Sequence, residues 1–201
     1  DTVGRRWKRF YSGAVNALWF GVIGDASPST YVSASGAGIS NAQAFQKALD
    51  AAWKNQISGA PYAAGVFGGD LYIPSGYYEI AGTNSLVVHP GQKVYGDGMY
   101  VTVLCTTVTY APTTTYNGQV LQSGLLFLDV NTAPYSGIPG YPTTLRDMAI
   151  ASKNANTVGI FLNKNGCVID SVWISGFANT GILANNTCLL YTSDAADDTP
   201  C

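Results

Sequence analysis

The sequence predicts an all-β chain of short parallel strands stacked as a solenoid, with one α-helix near its start. Three observations lead there. From Gly68 onward, apolar and polar residues alternate at a period of two, in segments punctuated by Gly and Pro. Near the end, Leu145, Met148 and Ile150 match Ile169, Val172 and Ile174 at an offset of twenty-four, and Gly159-Ile-Phe-Leu-Asn163 matches Gly181-Ile-Leu-Ala-Asn185 at twenty-two. A repeat of that size marks a solenoid, in which each turn buries its face against the next. Third, charged residues make up only 11% of the chain while Gly, Tyr, Thr, Ser and Asn abound. That mix suits strands joined by tight turns and argues against a helical bundle or a disordered chain.

Residues 1–19 read as an N-terminal arm or the end of a preceding module, residues 20–187 as the main domain, and residues 188–201 as a non-native tail. The arm carries Arg5-Arg-Trp-Lys-Arg-Phe-Tyr11. Such a cluster suits a nucleic-acid arm or an exposed strand of alternating charge. It is short and unsupported elsewhere, which favours the strand and no nucleic-acid partner. The chain opens on Asp1 rather than Met, so its natural start is expected upstream, and the lack of a secretory signal carries no weight. No run of about eighteen apolar residues is present, which predicts no membrane span.

Residues 20–40 read as loop, rich in Gly, Ser and Thr. A helix is predicted near 41–56. Ser40-Asn-Ala-Gln43 has the capping-box pattern, and Ala44, Phe45, Ala48, Leu49, Ala52 and Trp53 form one apolar stripe. Lys47, Asp50 and Lys54 fall on the other face, and Gly59, Pro61 and Gly65 end it. The Phe45, Leu49 and Trp53 face is expected to cover the open first turn of the stack, whose strand edges and apolar surface need a cap.

Strands are expected at Asp70–Ile73, Tyr77–Ile80, Ser85–Val88, Lys93–Tyr95 and Val101–Leu104. Residues 106–144 read as a partly extended excursion, with one apolar strand at Gly124–Leu128. The repeats predict strands near 145–150 and 168–174, with Asn163 beneath Asn185, where amide side chains can pair along a stack.

The tail stands apart. Cys188-Leu-Leu-Tyr-Thr-Ser-Asp-Ala-Ala-Asp197 resembles a translated sequencing adapter, so the protein's own sequence is expected to stop near Thr187. Without Asp194, Asp197 and Asp198 the formal charge moves from −2 to +1, and the acidic balance says nothing about partners. Cys105 and Cys167 remain. They lie far apart with no CxxC or nearby His, so no metal or redox pattern exists. Beside β-branched neighbours they read as small buried residues, with a disulfide between them as the alternative.

Leu18-Trp-Phe-Gly-Val-Ile-Gly-Asp25, then the helix, then Gly68-Gly-Asp-Leu-Tyr-Ile-Pro-Ser-Gly-Tyr-Tyr78, then Val94-Tyr-Gly-Asp-Gly98 form an ordered set. This order resembles the start of pectate-lyase-superfamily proteins, the group with rhamnogalacturonase-like and epimerase-like enzymes and phage tailspikes. There an F-G-A-x-G-D-like turn, a capping helix, a G-G-x-[VL]-Y-[IF]-P-x-G-x-Y turn and an L-x-G-x-G turn follow one another. The resemblance spans roughly residues 18–187 and departs at 33–40, where Ser and Gly replace an acidic D-D-T run.

The resemblance implies a right-handed parallel β-helix with an N-terminal capping helix, truncated here. It implies a protein that degrades or modifies polysaccharide, as a glycoside hydrolase or polysaccharide lyase, outside the cell or on a virion surface. The alternative is a phage tailspike or adhesin shaft that binds glycans, homotrimeric if a tailspike. Hydrolases of this kind use a carboxylate pair; lyases use a Lys or Arg base, often with Ca²⁺. Such groups sit in the middle turns of the family's helix, so the fragment itself is expected to be inactive. Catalytic and substrate-binding residues stay unknown, and no cofactor or metal site is expected.

The local candidates are few. Asp147 and Asp170 open the repeat strands, but at the offset of twenty-four Asp147 aligns with Ser171; both read as turn or strand-edge carboxylates. Asp25 and Asp97 read as tight-turn residues. His89, the single histidine, precedes Pro90-Gly91 and reads as a turn residue. Lys153 and Lys164 read as solvated turn lysines, with a uronate contact as the alternative. Tyr77, Tyr78, Tyr95 and Tyr100 either stack on sugars or cover the start of the solenoid.

Overall fold

The computed structural model describes residues 13–55, 69–83, 85–89, 91–107, 115–116, 119–120, 124–128, 142–153, 158–162, 167–177 and 180–184. The basic arm, Lys164, Asn163, Asn185 and the tail lie outside them. The described chain is mostly strand, in parallel sheets, with one α-helix. Short period-two segments account for this: each leaves backbone donors and acceptors on its two edges, which parallel neighbours satisfy, and turns one apolar set of side chains inward.

The pairing forms three ladders. Ladder I contains β1 (Val15–Asn16), β2 (Asp70–Tyr72), β5 (Lys93–Tyr95) and the first halves of β10 (Thr143–Ser152) and β12 (Cys167–Ser175). Ladder II contains β3 (Gly76–Glu79), β6 (Thr102–Thr106) and the second halves of β10 and β12. Ladder III contains β4 (Leu86–Val88), β9 (Gly124–Leu128), β11 (Val158–Leu162) and β13 (Thr180–Ala184). The chain thus visits I, II and III in order, four times. Every pairing in these ladders is parallel. The expected offsets recur as registers: Leu145 pairs Ile169, Met148 pairs Val172, Ile150 pairs Ile174, and Ile160 pairs Ile182. The poorly legible 106–144 stretch holds β9 and an antiparallel pair, β7 (Thr115–Tyr116) and β8 (Gln119–Val120).

The core is the set of inward columns, one from each ladder. Leu71, Val94 and Leu145 stack in ladder I, Tyr78, Leu104 and Ile150 in ladder II, and Leu86, Leu126 and Ile160 in ladder III; all are buried. A second, smaller cluster lies outside ladder II. There Ala26 and Tyr31 pack over Val103, Cys105, Ala149 and Ala151. Cys105 and Cys167 are free thiols, so the disulfide alternative is not realised, and Cys105 is the small buried residue expected.

Helix α1 (Gly38–Asn55) closes the start of the stack, packing on β1 through β4. Phe45 and Leu49 are buried and Trp53 is half-buried. One sequence expectation is corrected, and one is extended. The helix begins before Ser40, whose hydroxyl donates to the Ala37 carbonyl (2.9 Å) instead of capping; Ser33 Oγ accepts from the Ala37 N–H (3.0 Å). Asp50 lies off the apolar stripe as expected and stays partly exposed, but it is not merely solvated: it meets buried His89 at 2.7 Å.

Polar side chains of α1 occupy the exposed edge of the first pass. Buried Asn41 accepts from the Ile23 N–H (2.8 Å) and donates to the carbonyls of Ile23 (2.9 Å) and Glu79 (3.1 Å). Gln46 accepts from the Val87 N–H (2.8 Å) and donates to the Val87 carbonyl (3.1 Å), standing in for a strand beside β4.

Candidate functional site

Ladders I and II meet at a corner made by single residues in the left-handed region, Asp147 (φ 55) and Ser171 (φ 54). Asp tolerates this conformation better than most residues, and Ser pays a steric penalty for it. The corner is fixed from the second pass, where the Gly96 and Gly98 N–H groups donate to the carbonyls of Arg146 (3.2 Å) and Asp147 (2.9 Å). A Cβ on Gly96 would lie 2.6 Å from the Asp147 carbonyl, so only glycine fits.

Because side chains alternate across a strand, the outward face of ladder I carries two columns. One runs Asp70, Lys93, Thr144, Val168; the other runs Tyr72, Tyr95, Arg146, Asp170. The Tyr72 and Tyr95 rings lie 5.4 Å apart, and Lys93 Nζ sits 4.8 Å from the Tyr95 ring centre. Asp97 ties the passes together by accepting from Tyr72 OH and the Ser75 N–H, both at 2.7 Å. That bond is the main reason the Tyr72 phenol is held above its usual pKa. Arg146 Nε donates to Asp147 Oδ2 at 2.6 Å, which raises the guanidinium pKa further. Round the corner, Trp173 stands outward on ladder II in register with Ala149, and Tyr100 lies against it with ring centres 6.2 Å apart.

Several sequence candidates change role. Asp147 lies within β10 and Asp170 within β12 rather than opening them. Asp170 is in register with Arg146, so the two carboxylates are not stacked. Asp97 and Asp25 have ordinary backbone angles and act through their carboxylates, not as left-handed turn residues. Asp25 accepts from Ser33 Oγ and the Ser35 N–H, and chiefly the Ser33 bond lowers its pKa. His89 is the turn residue expected, its carbonyl accepting from the Gln92 N–H (3.1 Å), and it is also buried, stacked on Trp53 and bonded to Asp50.

Tyr78 is buried edge-on against Phe45 (5.4 Å, 81°) and covers the start of the stack, as one reading held. Tyr77 packs against the outer cluster. Tyr95 and Tyr100 join the surface strip instead. Lys153 is exposed, 4.9 Å from the Tyr31 ring centre. Sequence reasoning missed Tyr72, Lys93, Arg146 and Trp173. For Trp173 a signal existed: it is the polar-phase position between inward Val172 and Ile174. Among the described residues no cluster of His, Cys, Asp and Glu could hold a metal ion.

The arrangement is an open aromatic and ionic strip on a parallel-sheet scaffold, suited to binding along a surface. No protein-family model matches this chain, and no curated protein matches it. Among solved structures it is similar to ORF18 of Geobacillus virus E2, with a TM-score of 0.53 and 19% identity over 84% of this chain. This chain spans 27% of that one's length. At that identity the likeness concerns fold.

Proposed function

We propose that this chain is the opening part of a right-handed parallel β-helix that degrades or modifies polysaccharide outside the cell or at a virion surface, with its acid–base machinery on later turns. The observation that carries the reading is the outward column of Tyr72, Tyr95, Arg146 and Asp170 along ladder I, with the exposed pair Tyr100 and Trp173 round the corner. The ordered visits to three parallel ladders support the winding, and α1 over the first pass supports a capped start. Among the described residues no two carboxylates stand in register on neighbouring strands, whereas glycoside hydrolysis needs a facing pair.

The test compares the 201-residue chain with one extended downstream, on pectin, rhamnogalacturonan and neutral glycans. Reducing ends and unsaturated uronates are expected from the extended chain only. Cleavage by the folded 201-residue chain above a heat-killed control, lost in Asp147→Ala or Asp170→Ala, would place the machinery here and sink the proposal. A second reading, a glycan-binding spike or adhesin shaft, is supported by the viral origin of the structural neighbour. Outward apolar Trp173 and Val168, each 42% exposed, suit subunit contacts in such a spike. A threefold mass in light scattering, with binding but no turnover by the extended chain, would favour it.

A further inference from the structure

We propose that the corner between ladders I and II binds a neutral, hydroxyl-rich saccharide on Tyr100, Trp173 and the Tyr72–Tyr95 column, and that it rejects uronates and other polyanions. The inference narrows the polysaccharide reading above and rests on it.

Exposure comes first. Tyr100 is 71% and Trp173 42% exposed. Their rings are inclined at 48°, so neither covers the other's face. Beneath Trp173 in register stands Ala149, too small to cover the indole from below. The indole N–H makes no hydrogen bond among the described residues. An exposed indole with a free N–H offers a flat apolar face and one donor, which matches the C–H face of a pyranose and its ring of hydroxyls.

Charge then selects among ligands. The strip holds Asp70, Asp97, Asp147 and Asp170 against Lys93 and Arg146, so it is negative at neutral pH. Lys93 is already engaged with the Tyr95 ring, and Arg146 commits Nε to Asp147. A polyanion meets net repulsion here, screened only by salt. Hydroxyl groups, in contrast, find acceptors in the carboxylates and donors in the terminal nitrogens of Arg146, which make no hydrogen bond among the described residues. The same balance argues against single-stranded nucleic acid, which would otherwise suit aromatic platforms but needs a positive groove. Direction fits as well. The columns follow the stacking axis at about 4.8 Å per strand, so an extended glycan can lie along them. The corner beneath is rigid, held by the Gly96 and Gly98 hydrogen bonds.

The experiment uses the intact 201-residue chain, titrated with hexasaccharides of glucose, galactose and mannose and with hexagalacturonate, at low and physiological salt. Tryptophan fluorescence and amide chemical shifts report binding. At least one neutral hexasaccharide is expected to bind, nearly independently of salt. Trp173→Ala and Tyr100→Ala should each weaken it about tenfold or more, as loss of an aromatic anchor does. Trp173→Phe keeps a stacking face and should retain most affinity, and unchanged circular dichroism excludes unfolding as the cause.

The proposal is overturned if no neutral hexasaccharide binds, or if binding survives Trp173→Ala and Tyr100→Ala. Hexagalacturonate bound through Trp173 would overturn the neutral preference and leave the polysaccharide reading standing. Self-association that depends on Trp173, without sugar binding, would assign the face to a second copy and also overturn it. Inactivity of the extended chain on every glycan bears on the broader reading alone.

Discussion

Asp50 and His89 meet across thirty-nine residues of sequence, with the carboxylate Oδ1 2.7 Å from His89 Nε2. Trp53 stacks on the same imidazole, ring centres 4.6 Å apart and planes 17° apart. One side chain from each of two turns of α1 therefore grips the loop after β4. His89 is 6% exposed, so its ring nitrogen depends on the protein for a partner. Asp50→Ala is expected to lower stability by about 1–3 kcal/mol, the range for orphaning a buried polar group. Asp50→Asn should recover part of it. Urea midpoints at constant m-value check both.

Phe45 is 1% exposed and meets Tyr78 edge-on. Phe45→Ala should cost about 3–5 kcal/mol, as for other buried aromatic truncations. Phe45→Leu should cost clearly less, and equal losses for the two would contradict the packing described.

Asn41 serves three backbone groups and has no exposed surface. Asn41→Ala is expected to cost about 1–3 kcal/mol for each buried group it orphans. Gln46→Ala should cost less, because Gln46 is only half-buried. Both should speed aggregation, since they uncover strand edges; light scattering on gentle heating would show it.

The backbone at the corners separates two substitutions. Gly176 has φ +79, and a Cβ there would collide with the Ser152 carbonyl oxygen. Gly176→Ala should therefore lower the melting temperature sharply. At Ser171 a glycine removes a left-handed penalty of about 1–2 kcal/mol while adding roughly 0.5–1 kcal/mol of unfolded-state entropy. Ser171→Gly should leave the melting temperature unchanged or slightly raised, and Ser171→Val should lower it.

Alkaline pH should destabilise the fold. Burial pushes the Cys105 thiol from 9.0 up to about 12 and the Tyr78 phenol from 10.0 to about 12. A folded pKa raised above the unfolded value means that the unfolded chain ionises first. The stabilisation is thus complete below pH 9 and is lost as pH rises towards 12. Cys105→Ala should flatten the thiol's share of that slope in melts run at increasing pH.

Much of the strand layout was legible because the signal was local. The stripe through Phe45 and Leu49 and the match of Leu145 to Ile169 need only spacing along the chain. The cross-chain pairings were not legible. Lys93 pairs with Thr144 across the Thr-rich stretch between β6 and β10, and no period survives an insertion of that length. The strip suffered most. Tyr72, Tyr95 and Arg146 form a column only once register is known; Tyr95 stands out in the sequence as a stacking candidate, but nothing local links it to Tyr72 or Arg146. The turn at His89 is legible from Pro90-Gly91, but its burial is not: its partners sit on a helix whose contact with the loop no local pattern encodes.

Asn41, Gln46 and β1 leave the two ends of the stack chemically unlike. On the helix side Gln46 occupies part of the β4 edge, while among the described residues β12 and β13 end their ladders with no side chain standing in for a further strand. The two ends of the ladders therefore meet their surroundings differently: one through helix side chains, the other through strand backbone. A partner approaching the helix side is thus expected to read mainly side chains, and one approaching β12 and β13 mainly backbone donors and acceptors.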